Sequence, residues 1–251
     1  GNLRVEGMVL AAAWASGGAL PAVRSGSGGA GTQTAALNIG GENGSSIFGT
    51  TEEYDGSSWT GGGALNASPT FFIGSGGTQT AGLRIGGYTG PVGTALQSEV
   101  EEYDGSSWTA VTAIPTATGQ GMFAGTQTAG LFYGGAAPSA VTTSLSYNGS
   151  SWTATNSLAV AKAQGAGFGT QTAAIAAGGG NPALGPGTSA FTNNSQTWDG
   201  TNWATTNSLN NNKTNLKGWG SSTSGAVAGG RVPAPSSTNQ TEVYDGTNWS
   251  A

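Results

Sequence analysis

Three landmarks recur along this chain at nearly constant separations, and their periodicity limits the folds open to it more than any other feature. Gly-Thr-Gln-Thr begins at Gly31, Gly77, Gly125 and Gly169. A Gly-Gly pair begins at Gly40, Gly86, Gly134, Gly178 and Gly229. Aromatic-Asx-Gly-x-x-Trp begins at Tyr54, Tyr103, Tyr147, Trp198 and Tyr244 and ends at Trp59, Trp108, Trp152, Trp203 and Trp249. Trp14 stands in the same register ahead of the first unit, and in the fifth unit the first landmark has decayed to Ser221-Ser222-Thr223-Ser224. The first Thr (or Ser221) precedes Gly-Gly by 8 residues, the aromatic precedes its Trp by 5, and each Trp precedes the next Thr by 18, once by 19. Only the second Gly and the aromatic vary in separation, at 13, 16, 12, 19 and 14 residues. A repeat of this kind keeps its scaffold lengths and lets one loop drift.

Each unit reads as four short strands. In the first unit these are a Gly-rich strand over Ser25 to Ala30, an alternating strand over Thr34 to Gly40, a third over Thr51 to Tyr54, and a fourth carrying Trp59. Alternation of Leu37 and Ile39 with Ala36 and Asn38 is a period of two, the strand signal. Asx-Gly at Asp55, Asp104, Asn148, Asp199 and Asp245 falls between the third and fourth strands, where tight hairpins favour it. Four antiparallel strands per unit of roughly 45–50 residues make a propeller blade. The expected fold is all-β: a five-bladed β-propeller spanning 1–251 as a single domain, with units near 15–62, 63–111, 112–155, 156–206 and 207–251 plus 1–14. Because Trp14 and Trp249 both occupy the fourth-strand register, strands from both chain ends are expected to close the terminal blade. The five repeat tryptophans are read as blade-to-blade core, and Trp219, outside the register, as filling space near the axis.

Gly-Gly, then Tyr, then Trp at these separations resembles the kelch repeat over nearly the whole chain. Arg24, Lys162 and Lys213, each at the same distance after a tryptophan, stand where kelch units carry a basic residue. The wording Gly-Thr-Gln-Thr-Ala…Gly-Gly…Glu-Glu-Tyr-Asp-Gly-Ser-Ser-Trp-Thr is similar to repeats in marine phage and viral-metagenome appendage proteins. That resemblance implies a virion or extracellular location.

Composition narrows the chemistry. The 251 residues include no Cys and no His, which removes disulfides, Cys-His and Ser-His-Asp devices and the usual zinc ligands. Lys162, Lys213 and Lys217 sit in no catalytic motif, and the glycine-rich runs lack a phosphate-loop signature. Seven basic residues and a net charge of −5 argue against nucleic acid. No apolar run reaches the ~18 residues of a membrane-spanning helix. Met8 to Leu20 resembles a signal peptide, but its flank is barely basic and it keeps the repeat register. Ten of the 12 acids lie in or beside the third strands. Neighbours there point to opposite sides, so they read as solvated strand acids and turn aspartates, with a calcium site in an acidic loop as the other reading. We expect no catalytic residue, metal or cofactor.

The expectation is therefore a non-enzymatic structural or adhesive module of a phage appendage, with cell-surface glycan or other virion proteins as partners. The alternative is a lectin with near-equal sites between blades. In a meander blade, the turn after the first strand and the Asx-Gly turn share one end. The loops after Gly-Gly and the inter-blade links share the other. Binding is expected on that length-variable face, around residues 42–48, 88–96, 136–141, 181–191 and 231–239. Tyr88 and Arg231 are the leading candidates, each directly following a Gly-Gly pair, with Glu42, Asn43 and Asn181 beside them.

Overall fold

The computed structural model describes residues 16–67, 70–90, 95–181, 191–233 and 237–251. They form five four-stranded antiparallel meanders, and no helix occurs among the described residues. Blade 1 holds β1 (Gly28–Thr32), β2 (Ala35–Ile39), β3 (Thr51–Tyr54) and β4 (Trp59–Gly61). Blade 2 holds β5 (Gly74–Thr78), β6 (Ala81–Tyr88), β7 (Leu96–Tyr103) and β8 (Trp108–Val111). Blade 3 holds β9 (Met122–Thr126), β10 (Ala129–Tyr133), β11 (Ser144–Tyr147) and β12 (Trp152–Ala154). Blade 4 holds β13 (Ala166–Thr170), β14 (Ala173–Ala177), β15 (Ser195–Trp198) and β16 (Trp203–Thr206). Blade 5 holds β17 (Lys217–Ser221), β18 (Ser224–Ala228), β19 (Thr241–Tyr244) and β20 (Trp249–Ser250). Trp249 thus supplies the fourth strand of the last blade; the strand expected from residues 1–14 lies outside the described residues.

The first strand starts later than the sequence suggested, because residues 25–27 serve the link between blades. Ser25 exchanges two backbone hydrogen bonds with Glu42, and Gly26 turns the chain at φ 63°. Every blade has a left-handed residue at this point: Gly26, Phe72, Gln120, Gln164 and Asn215. The N–H groups of Phe72, Gln120, Gln164 and Asn215 donate to the carbonyls of Gly26, Phe72, Gln120 and Gln164, a backbone chain passing from blade to blade. The Asx-Gly hairpins also differ from the expected two-residue form. Tyr54 pairs directly with Trp59, so the loop has four residues, and only Gly56 is left-handed, at φ 95°. Asp55 instead accepts the N–H groups of Ser57 and Ser58 at 2.8 and 2.7 Å.

Each landmark turns out to join one blade to the next. The glutamine of Gly-Thr-Gln-Thr reaches back to the preceding blade. Gln79 Nε2 donates to Ala36 O and Tyr54 O, Gln127 to Gly82 O and Tyr103 O, and Gln171 to Gly130 O and Tyr147 O, all at 2.6–3.2 Å. Ser222 cannot reach so far. The Gly-Gly pairs meet the following link: the N–H groups of Gly41, Gly87, Gly135 and Gly179 donate to Thr70, Thr118, Lys162 and Lys213 carbonyls. Both glycines of each pair have positive φ, and a Cβ at Gly86 would stand 2.1 Å from the Thr118 oxygen. Inner strands pack equally close: a Cβ at Gly76 would meet the Phe123 ring at 2.3 Å.

The core is divided among the interfaces. Leu37, Ile39, Tyr103 and Trp108 fill blades 1–2, and Leu83, Ile85, Phe132 and Tyr147 fill blades 2–3. Leu131, Tyr133, Trp198 and Trp203 fill blades 3–4, and Ile175, Val227, Tyr244 and Trp249 fill blades 4–5. Trp108, Trp152, Trp203 and Trp249 therefore pack between blades, each against the aromatic that opens its hairpin, with Tyr147 and Trp152 rings 4.5 Å apart, whereas Trp59 joins none of these four interfaces. Trp219 lies on the inner strand β17, with 45% of its surface exposed.

Candidate binding surface

The meander order puts the loops after Gly-Gly and the links between blades at one end of the molecule. The five candidates from the sequence are distributed over four blades there and do not converge. Glu42 accepts hydrogen bonds from Ser25 Oγ and Gly44 N, and these hold its carboxyl below the usual range. Asn43 is exposed and spends Oδ1 on its own turn, accepting from Ser45 N and Ser46 N. Asn181 Oδ1 accepts from Ala140 N at 3.3 Å across to the blade 3 loop. Arg231 is exposed, while its backbone bridges Thr214 and Ser237. Tyr88 is 1% exposed, beside Phe71 at 5.9 Å, so its ring belongs to the interior and cannot stack on a ligand from solvent. The register shift between Ile85 and Gly87 re-aims the end of β6 and turns Tyr88 inward. Residues 91–94, 182–190 and 234–236 of the predicted loops lie outside the described residues.

The grooves between blades on this face are unequal, unlike the near-equal sites of a regular lectin. Between blades 4 and 5 lies an open groove of about 620 Å³ formed by Asn193, Asn210, Asn211, Asn212, Thr238 and Gln240. Ser237, the bridge partner of Arg231, also borders it. Between blades 1 and 2 a groove of about 320 Å³ pairs Glu42 and Ser46 with Ile47 and Phe71. Between blades 2 and 3 only about 50 Å³ remains, walled by Pro115, Phe132, Val141 and Leu145. The run Asn210-Asn211-Asn212 was the available sequence signal for the polar groove. It sits on an inter-blade link of constant length, which the search for length variation passed over.

Most charged side chains of the scaffold are withdrawn from this surface. Two residues before the hairpin aromatic, on the third strand, stands Glu52, Glu101, Leu145, Gln196 or Glu242. Glu52, Glu101 and Glu242 are buried, not solvated as the sequence suggested, because both faces of a blade are covered by neighbours. In blade 1 Glu52 pairs with Arg24 and accepts from Asn38 Nδ2 at 2.9 Å. In blade 5 Lys213 Nζ lies 2.6 Å from Glu242 Oε1, and Glu242 Oε2 accepts from Asn210 N at 2.7 Å. In blade 2 the base has moved: the link carries Thr70, and Arg84 projects from β6 instead. Burial lowers the Arg84 pKa, and the charges of Glu101 and Glu99 oppose that shift. Blade 3 has no charge at all, with Thr118, Phe132 and Leu145 at the three positions. Pro115 stands there where Asn66, Ala159 and Asn210 offer an N–H to the acid or amide of their blades.

Blade 4 keeps the base without the acid. Lys162 is fully buried, and its Nζ donates to Asn194 O at 2.8 Å and Asn194 Oδ1 at 3.0 Å. Burial depresses its pKa to about 7. The unfolded chain therefore binds the extra proton between about pH 7 and the ordinary lysine value of 10.5. Stability contributed at this site rises with pH through that window and is flat below it. We expect the unfolding free energy of wild type relative to that of Lys162→Met, measured by urea unfolding, to rise from pH 7 to pH 9.5. Gln196→Glu, which restores the acid of the other blades, should flatten that slope. A parallel pH dependence in all three proteins would refute this reading.

The turn aspartates are occupied locally. Hydrogen bonds from Ser107 N and the Ser106 side chain and N–H, with a weaker one from the Ser107 hydroxyl, lower Asp104 to about 2. Among the described residues no three acidic, Cys or His side chains converge as metal ligands do. Along the axis lies a cavity of about 470 Å³, into which Lys217 reaches from β17, its Nζ 3.4 Å from Ser27 O. Trp59 of blade 1 and Leu216 and Gly218 of blade 5 also border the cavity.

No family model matches the chain, and no curated protein matches it. Among solved structures, one described as the structure of YjhT superposes with a TM-score of 0.74. The match covers 92% of this chain and 84% of that one at 12% identity. It agrees with the propeller architecture, and at that identity it speaks to the fold alone.

Proposed function

We propose that this propeller is a non-enzymatic adhesive module that binds neutral glycan on its loop face. The observation that carries the reading is the groove between blades 4 and 5. Asn193, Asn210, Asn211, Asn212 and Gln240 present amides, and Ser237 and Thr238 hydroxyls, in an open trough free of acidic side chains. Side-chain amides offer donor and acceptor side by side, the pattern that vicinal sugar hydroxyls present in return. The scaffold's acids and bases support this indirectly, since Glu52, Glu101, Glu242, Lys162 and Lys213 are enclosed in their blades. Assignment to a virion appendage, with an extracellular location, rests on the similarity of the kelch-like repeat wording to phage appendage proteins. The test is a glycan array followed by titration of the best glycan. Asn211→Ala/Asn212→Ala should lose on the order of tenfold or more in affinity, from two hydrogen bonds of about 0.5–1.5 kcal/mol each. Ser45→Ala, in the groove of blades 1 and 2, should change nothing. An array with no binder, or binding indifferent to the asparagines, would leave the structural reading in its place.

A further inference from the structure

The five blades share four apolar interfaces, and the expected fifth, between blades 5 and 1, is missing among the described residues. Inner strands pack against each other from β1 through β5, β9 and β13 to β17, but no such packing joins β17 to β1. The axial backbone chain stops at the same place, with no bond between Asn215 O and Gly26 N. Both walls of this seam carry side chains more exposed than their counterparts: Glu53, Glu102, Ser146 and Thr197, at the position of Val243 in the other blades, are half-buried. Val243 on β19 is 51% exposed. Tyr54 is only half-buried, whereas Tyr103, Tyr147 and Tyr244 are buried; Trp59, like Trp152, is partly buried.

The chain entering blade 1 shows what this wall accepts. Trp59 Nε1 donates to Gly18 O at 3.0 Å, as Trp152 Nε1 donates to Thr112 O at 2.9 Å. Thr112 belongs to the chain leaving the fourth strand of the preceding blade. Gly17 and Gly18 repeat the placement of Gly62 and Gly63, which leave β4. A Cβ at Gly17 or Gly62 would stand 2.8 Å from the hydroxyl of Tyr54 or Tyr103. A Cβ at Gly18 or Gly63 would stand 2.4 or 2.3 Å from the carbonyl of Ser57 or Ser106. Residues 16–18 therefore lie against blade 1 as the exit of a preceding blade lies against its successor. That preceding blade is not blade 5, whose fourth strand is already supplied by Trp249–Ser250.

We propose that the seam between blades 5 and 1 is a docking site for one further unit of this same repeat, seated between Val243 on one side and Trp59 on the other. The occupant has the chemistry of the other inter-blade faces: small and aliphatic residues toward Val243 and Ala226, and carbonyls toward the exposed Gln33, whose counterparts Gln79, Gln127 and Gln171 bind the preceding blade.

The absence of cysteine allows a clean test. Val243→Cys places a single thiol on the seam, and Val160→Cys, at a site 44% exposed in the link between blades 3 and 4, provides the control. A copy of residues 206–248, comprising a link and three strands, is appended after Ala251, and thiol labelling is compared with and without it. A second fusion carries a copy of residues 111–151. In at least one fusion Val243→Cys should react on the order of tenfold more slowly while Val160→Cys is unchanged, because a buried thiol is modified only on local opening. Equal reactivity in both fusions would overturn the proposal. So would protection of Val243→Cys in the unextended chain, which would mean that its own residues close the seam. Protection rising with protein concentration would assign the seam to a second copy and would also overturn it.

Discussion

Trp108→Ala should destabilise the propeller by about 3–5 kcal/mol, the range for truncating a large buried aromatic. The side chain is 3% exposed and packs with Leu37, Ile39, Leu65 and Ile73 of the blade 1–2 interface. Its ring lies 5.0 Å from that of Tyr103, and Nε1 donates to Thr51 Oγ1 at 2.9 Å. Alanine would remove the apolar area, leave a void between two sheets that cannot slide together, and strip a buried hydroxyl of its donor. Trp152→Ala is the comparison. That ring is only partly buried and bonds an exposed carbonyl, Thr112 O, so its loss should cost clearly less. Urea unfolding of both variants checks the order. Equal costs would mean that the interfaces do not differ in burial as described.

The repeat made the architecture legible because strand positions, hairpins and Gly-Gly joints are demanded once per blade and so appear five times. Tyr54 to Trp59 is the clearest case: a constant five-residue step became a paired hairpin base in every unit. What could not be read is which face of a strand meets water. In an open sheet, alternation separates a wet side from a dry one. In a propeller each blade is covered on both faces, so Glu52 and Glu53 look alike in sequence. Yet Glu52 is enclosed with Arg24, and Glu53 accepts the hydroxyl of Tyr103 from the next blade. Arg24, Lys162 and Lys213 stand in register in the sequence, but nothing in their spacing shows which acids they meet. Nor did Gly-Thr-Gln-Thr reveal that its glutamine is a clamp, because its acceptors are backbone carbonyls that no side-chain pattern records. Among the candidate site residues, Arg231 kept its exposed place beside the polar groove, whereas Tyr88 followed the β6 bulge into the core.

The blades themselves predict how a buried ion pair should respond to mutation. Lys213→Met should cost about 3–5 kcal/mol, because it leaves the Glu242 carboxylate enclosed with no counter-charge. Both side chains are 1% exposed, and the remaining bond to Glu242, from Asn210 N, cannot replace the cation. Lys213→Met/Glu242→Leu should recover most of that loss, since desolvating two charges consumes much of what their attraction returns. Blade 3 is the internal precedent. With Leu145 in place of the acid, Thr118 in place of the base, Phe132 on the strand between and Pro115 in place of the donor N–H, it builds the same four strands without charge. The double variant in blade 5 keeps Val227 where blade 3 has Phe132, and Asn210 keeps an N–H that Glu242 had satisfied. Adding Asn210→Pro should therefore bring stability closer still to wild type. Unfolding free energies for the single, double and triple variants check the series. A double variant as unstable as Lys213→Met would show that the pair is required for the blade to pack, and that the apolar solution of blade 3 cannot be transferred.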